Sequence, residues 1–318
     1  MIEKTTDTGH KIESSRLGLK LFLQNKSRLA RKKTPVLFVH GATYPSSVTF
    51  DYPIDNLSWL DWMAKKGFDV WSIDLLGYGK SDRPREMLSD PDLHPPLVDT
   101  KEAVLDVKHA IKYITQYRKT SEIDLVGYSW GTAICAQIST EMPDSIRRLT
   151  LSGALWVIST QPPIGTNSTV GAYRTVDKET IKKRWLSNLS DTQKGIVAEP
   201  KDIDRWIQAA IKSDPESTQS GTGKLRAPSG VIKDLDRYWY KGIPTYSPEK
   251  IKCPVQIVVG EWDQETTPNQ GMEIFQHLKN AQCRRITIIG AATHSMLLEK
   301  QRFQLYEVVG EFLAAPNL

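Results

Sequence analysis

Between residues 35 and 155, short apolar runs rich in β-branched residues alternate with longer amphipathic stretches. This alternation constrains the fold more than any other feature of the chain. Runs at 36–39, 69–73, 123–126 and 149–151 are too short for buried helices and near-continuously hydrophobic, as strands covered on both faces are. Helix-length segments separate them, so successive strands can cross over and pair in parallel, with helices on both faces of the sheet. Helices are expected at 56–66, 100–118 and 129–141, the last ended by Pro143. Val104, Val107, Ile111 and Ile114 fall on one face of the second. Residues 11–15 and 19–23 have no helix between them and should form an N-terminal hairpin at the sheet edge.

The alternation breaks at about residue 156. From there to 250 no strand is expected, and helical stretches at 177–189, 200–213 and 229–241 are joined by linkers containing Pro, Gly and Ser. Strand pattern returns at 255–259 and 285–289, with helices at 269–279 and 300–313 completing the same layers. The reading is a core of residues 1–155 and 251–318 with a helical insertion at 156–250.

The 318 residues are 39 % hydrophobic and 25 % charged, enough for a sizeable core. The net charge of +5 is spread along the chain, densest only at 28–33, so nucleic acid is not an expected partner. No apolar run reaches the ~18 residues of a membrane span, and 17–23 is too short and broken for a secretory signal. A cytoplasmic protein without membrane attachment is expected. Cys135, Cys253 and Cys283 are odd in number and never CxxC, so they are expected as buried thiols rather than a disulfide framework or zinc site. No metal or cofactor is expected. Asn167-Ser168-Thr169 fits a glycosylation sequon that has no consequence without a secretory signal, and 220–225 mimics a phosphate loop but has no preceding strand.

Chemistry enters at Gly127-Tyr128-Ser129-Trp130-Gly131, placed where a strand should turn sharply into a helix. Side chains at 127 and 131 would collide with neighbouring backbone in such a turn, and Ser129 is held exposed above the sheet. A serine hydroxyl needs a base to become a nucleophile, and the base needs an orienting acid. His294 follows the last strand; His10, His94, His109 and His277 sit where solvent or capping explains them, and His40 where it would shape a turn. Asp263 follows the preceding strand, with Glu261 and Glu265 as neighbouring competitors. The backbone N–H groups of Trp130 and Ala42 are the expected donors to a developing oxyanion, Thr43 being the alternative to Ala42. Gly41 would let backbone approach a substrate carbonyl.

With these residues in view, the chain resembles the α/β-hydrolases. The resemblance is carried by His40-Gly41-Ala42, residues 74–84, Gly127 to Gly131, Asp263 and His294, and it reaches from about residue 35 to the C-terminus. It implies a mostly parallel central sheet flanked by helices, with a helical cap inserted before the strand that precedes the acid. Residues 74–84 correspond to a structural loop. Haloalkane dehalogenases and epoxide hydrolases of this family carry Asp at the elbow, and dienelactone hydrolases Cys; Ser129 leaves ester, lactone, thioester or amide cleavage, with acyl transfer and carbon–carbon hydrolysis open. The expected activity is serine-dependent hydrolysis of a carboxylic ester or lactone through an acyl-enzyme. An acyltransferase on the same three residues, or a catalytically silent ligand receptor, are the alternatives.

Trp156, Tyr173, Trp185, Trp206, Tyr238, Trp239, Tyr240 and Tyr246 give the cap an aromatic load suited to roofing a site for a bulky hydrophobic small molecule. The expected substrate contacts are Thr43, Tyr44, Trp156, Trp185, Trp206 and Trp239. Asp202, Asp204, Asp234 and Asp236 read as a solvated face, with contact to a cationic substrate group as the alternative. The long 40–47 loop and large cap also resemble Est-type macrolide esterases, which implies the lactone of a 16-membered macrolide antibiotic as substrate, and hence antibiotic inactivation.

Overall fold

The computed structural model describes residues 5–28, 34–158 and 170–316; residues 29–33 of the basic run and the sequon at 167–169 lie outside them. The chain opens with an antiparallel hairpin, β1 (Thr5–Glu13) and β2 (Lys20–Arg28), longer than the expected one. Strands β3 (Pro35–Val39), β4 (Asp69–Asp74), β5 (Ile123–Tyr128) and β6 (Ile146–Ser152) follow. A separate two-stranded ribbon, β7 (Tyr173–Val176) with β8 (Leu225–Pro228), precedes β9 (Val255–Gly260) and β10 (Arg284–Ile289). The main sheet has the order β1-β2-β4-β3-β5-β6-β9-β10 and is parallel from β4 to β10, with β2 antiparallel to β4.

The first helices are α1 (Ser46–Thr49), α2 (Trp59–Lys65), α3 (Thr100–Arg118) and α4 (Trp130–Glu141). In the later part lie α5 (Lys178–Trp185), α6 (Asp191–Val197), α7 (Pro200–Lys212), α8 (Pro215–Gln219), α9 (Gly230–Arg237), α10 (Pro268–His277) and α11 (Arg302–Ala314). Strand alternation sorts the core into two layers. Leu37 and Val39 of β3 pack with the apolar faces of α3 and α4, while Val36 and Phe38 pack with α2 and α11. Val104, Val107, Ile111 and Ile114 are all buried, as their spacing requires. Helix α2 begins three residues later than expected because Ser58 and Asp61 close a capping box there.

The β7–β8 ribbon corrects the strand-free reading of the 156–250 segment. Each strand is four residues long, below the length at which periodicity shows, and Tyr173 finds its partner Pro228 only through folding. The ribbon and its neighbours are tied to the sheet's flanking layer by charge. Buried Asp214 accepts from Arg226 Nε at 2.9 Å and faces Arg83 Nε at 3.4 Å. Asp234 accepts from the Thr100 N–H at 2.7 Å and so links α9 to the start of α3, which corrects its solvated reading. Asp204 is paired with Lys182 at 3.1 Å. Cys135 and Cys253 are buried, whereas Cys283 is partly exposed beside β10. Among the described residues no helix is long and apolar enough to cross a membrane.

Candidate active site

The turn from β5 into α4 places Ser129 at φ 54°, ψ −124°, a conformation a non-glycine residue adopts only when its surroundings impose it. The surroundings are backbone. A Cβ on Gly131 would stand 2.2 Å from the Val39 carbonyl oxygen, and one on Gly127 2.5 Å from that of Gly131. The Ser129 N–H donates to the Ser152 carbonyl at 2.9 Å, fixing the elbow against β6. Gly41 has a different role from the expected one: a Cβ there would meet Ser129 Cβ at 2.8 Å, so its missing side chain makes room for the serine itself.

The loops after β9 and β10 bring Asp263 and His294 to the same edge. His294 Nε2 lies 2.9 Å from Ser129 Oγ, and Nδ1 lies 2.8 Å from Asp263 Oδ2. Asp263 is fully buried and saturated with donors: Oδ1 accepts from the N–H groups of Glu265 and Thr266 at 2.8 and 2.9 Å, and Oδ2 from Thr266 Oγ at 2.9 Å. An ionised carboxylate held this way accepts from Nδ1–H, leaving Nε2 to take a proton from the serine. Burial works to lower the His294 pKa, but the Asp263 and Glu265 charges overcome it and leave the imidazole more basic than usual. Tyr128 was not anticipated. Its ring stacks on His294 with centroids 5.1 Å apart, and its hydroxyl donates to the His294 carbonyl at 2.9 Å.

Of the competitors, Glu261 accepts from the Ala291 N–H at 2.8 Å, away from the imidazole. Glu265 lies at the opposite side of the ring from Asp263, with Oε2 3.7 Å from Nε2. His40 is wholly buried; its Nδ1 contacts the Gly41 carbonyl at 2.7 Å and its Nε2 accepts from the Leu75 N–H at 3.0 Å, which requires a neutral ring and a turn-shaping role. Asp74 joins the same framework, accepting from the N–H groups of Ser46 and Lys80, each at 2.9 Å.

Trp130 opens α4, so its N–H is among those left without an intrahelical partner, while its indole is buried and donates to Thr100 Oγ at 2.9 Å. Ala42 lines the same pocket as Ser129. That pocket encloses about 580 Å³ including its open mouth. Tyr44, Trp206 and Trp185 form one wall through successive edge-on contacts at 4.9 and 5.1 Å. Indole N–H groups anchor both tryptophans, Trp206 to the Val48 carbonyl at 2.7 Å and Trp185 to Glu299 at 3.0 Å. Ile181, Tyr128, Trp262, Gln264 and Ser295 complete much of the lining.

Three expected contacts lie elsewhere. Trp156 packs on the His277 ring at 5.0 Å and donates to the Tyr246 carbonyl, and Trp239 is fully buried with its indole N–H on Thr245. Both belong to the apolar layer that includes α3 and α4 rather than to the pocket wall. Thr43 is buried at φ 82°, its hydroxyl accepting from Arg174 at 2.6 Å. Composition cannot tell a roofing ring from a core ring, since both are apolar and only helix orientation separates them.

Arg184, which no sequence signal marked, enters the pocket from α5 and grips Glu265 with two parallel hydrogen bonds, Nε to Oε1 at 2.7 Å and Nη2 to Oε2. Burial works to raise the Glu265 carboxyl, but the charges of Arg184 and His294 and the Arg184 hydrogen bond hold it down at about 2. Burial works to lower the guanidinium pKa, yet Glu265 carries it above its usual value. Among the described residues no group of three His, Cys, Asp or Glu side chains is arranged to hold a metal ion.

Known proteins share this arrangement of fold. An esterase from Exiguobacterium antarcticum superimposes with a TM-score of 0.62 over 97 % of this chain and 100 % of its own, at 18 % identity. A thermophilic esterase from Thermogutta terrifontis does so with a TM-score of 0.60 over 96 % and 98 %, at 16 % identity. In sequence, a 1-acylglycerol-3-phosphate O-acyltransferase of Saccharomyces cerevisiae is 23 % identical over 244 residues, which are 69 % of this chain and 60 % of the yeast protein. The match therefore spans less than two thirds of that relative's length. The family model of the alpha/beta hydrolase fold matches residues 34–301, from the residue before β3 to the residue before α11. Strand order, strained elbow and family match agree, and the chain belongs to the alpha/beta hydrolase fold family.

Proposed function

We propose that the protein is a serine-dependent carboxylic-ester or lactone hydrolase. The reading is carried by the unbroken chain from Ser129 Oγ through His294 to Asp263, with contacts of 2.9 and 2.8 Å, at a strained elbow that opens into a pocket. Ser129 Oγ bonds to the substrate carbonyl carbon while its proton passes to His294 Nε2. Asp263 orients the ring and stabilises the imidazolium. The N–H groups of Ala42 and Trp130 receive the oxyanion, and the helix dipole of α4 favours the same charge. The carbon–oxygen bond then breaks, with the leaving alkoxide taking the proton from Nε2. Water, activated by the same histidine, cleaves the acyl-enzyme.

The segment at 156–250 acts as a cap on a core of 1–155 and 251–318, its helices α5 and α7 supplying the upper wall. Tyr44, Trp185 and Trp206 suit a bulky apolar portion of the substrate, and the 16-membered macrolide lactones are the class to test first within it. Incubation with a fluorophosphonate, p-nitrophenyl esters and 14- and 16-membered macrolides tests the reading, with Ser129→Ala as control. Labelling and turnover in the wild type, lowered about 10³-fold or more in the variant, are expected. A folded protein that neither reacts nor hydrolyses overturns it. Gain of one water by the 16-membered lactones alone would identify the macrolide substrate.

Acyl transfer on the same residues is a second reading, supported by the pocket walls that α5 and α7 set beside Ser129 and by the similarity to the yeast O-acyltransferase. Acylated alcohol formed in preference to free acid would select it.

A further inference from the structure

The imidazole of His294 faces two carboxylates from opposite sides. Asp263 meets Nδ1, where a triad acid belongs, while Glu265 Oε2 stands 3.7 Å from Nε2, the nitrogen that must serve Ser129. An ionised carboxylate is a stronger partner for an imidazolium N–H than a neutral hydroxyl is. Shortening that contact by less than 1 Å would give hydrogen-bond distance, and the protonated ring would then be held as an ion pair that cannot accept the serine proton. Arg184 engages both oxygens of Glu265 along one edge of the carboxylate. The two partners come from separate parts of the chain, Arg184 from α5 and Glu265 from the loop after β9.

We propose that Arg184 is a positioning residue for the catalytic base: its guanidinium holds the Glu265 carboxylate off His294 Nε2, so that seating of α5 over the pocket frees the imidazole to serve Ser129. This inference rests on the hydrolase reading above.

The other titratable groups around the ring do not supply the same effect. Asp263 is committed to Nδ1 and to its backbone and Thr266 donors. Tyr128, stacked on the ring, and Tyr44, beside Arg184, are pushed up by burial and stay neutral in the assay range. Glu299 is hydrogen-bonded by Thr293 and Trp185 and its carboxyl is raised by burial. Among the described residues, Glu265 is the carboxylate paired with Nε2, and Arg184 is the cation that holds it.

The test is the pH profile of kcat/KM for a p-nitrophenyl ester in wild type, Arg184→Met, Glu265→Gln and the double variant, with fluorophosphonate labelling of the wild type alongside. Acylation needs neutral His294, so the acid limb follows its pKa. Arg184→Met should move that limb up by about one pH unit and lower activity near neutrality by about tenfold. Glu265→Gln should move it down. The double variant has lost the same cap contact as Arg184→Met yet should recover the activity of Glu265→Gln. Equal impairment of Arg184→Met and the double variant, or a limb unmoved in both single variants, overturns the proposal and leaves the pair as a mere fastener. Absence of wild-type labelling would instead overturn the hydrolase reading on which it stands.

Discussion

At the scale of the residue, the site is built from side chains whose partners leave them one useful orientation. Tyr128 holds His294 by its backbone, so Tyr128→Phe should cost about 1 kcal/mol of stability, read by chemical unfolding, and lower kcat more than it raises KM. Glu265 sets a pH dependence of stability. Its carboxyl is held at about 2 in the folded protein against a usual 4.5, so the unfolded chain binds its proton first as the pH falls. The stabilisation is complete above pH 4.5, erodes below it and is gone at about pH 2. Thermal unfolding midpoints measured across this window should fall steeply in wild type and less steeply in Glu265→Gln. Residues such as Ser129, His294 and Asp263 were legible from sequence because a strained turn and a chain order leave local marks. Thr266 and Tyr128 carry no such mark, since a hydroxyl acquires its role only from what folding puts beside it.

At the scale of the element, the strands and helices of the core follow their sequence periods closely, and the departures have local causes. The β3, β4 and β5 strands are buried along their whole length, which is why their runs read as near-continuous apolar stretches, and Asp69 and Asp124 within them are paired with Arg118 and Arg147. Edge strand β10 is half exposed and mixes charged with apolar residues. The β7–β8 ribbon depends instead on its attachments. Asp214, with its side chain only 1 % exposed, neutralises Arg226 on β8 and faces Arg83 of the core. Asp214→Ala would leave two cations buried against each other, and a loss of about 3–5 kcal/mol is expected. Limited proteolysis should then cut first within residues 170–250, whereas wild-type resistance there would show the tie to be dispensable.

At the scale of the whole molecule, the site exists where elements distant in the chain meet. The sheet edge supplies Ser129, Asp263 and His294, and α5 and α7 supply the aromatic wall and Arg184. Trp206→Ala should therefore discriminate between substrates. It opens the wall formed with Tyr44 and Trp185, so KM for bulky aryl esters should rise about tenfold while p-nitrophenyl acetate turnover stays within a few-fold of wild type. Steady-state kinetics on the two ester classes check this, and an equal loss on both would assign Trp206 to folding alone.

Sequence by itself determined the parallel core, the elbow at Gly127 to Gly131 and the three residues that the sheet edge brings together. Each depends on backbone geometry encoded within a few consecutive residues, or on elements whose order a parallel sheet restricts. Tertiary structure alone decided that Trp185 and Trp206 face the pocket while Trp156 and Trp239 do not, that β7 finds β8, and that Arg184 clasps Glu265 beside the imidazole. These outcomes depend on the rotation and docking of short helices, set by many weak contacts distant in the chain, and no local pattern of residues specifies them.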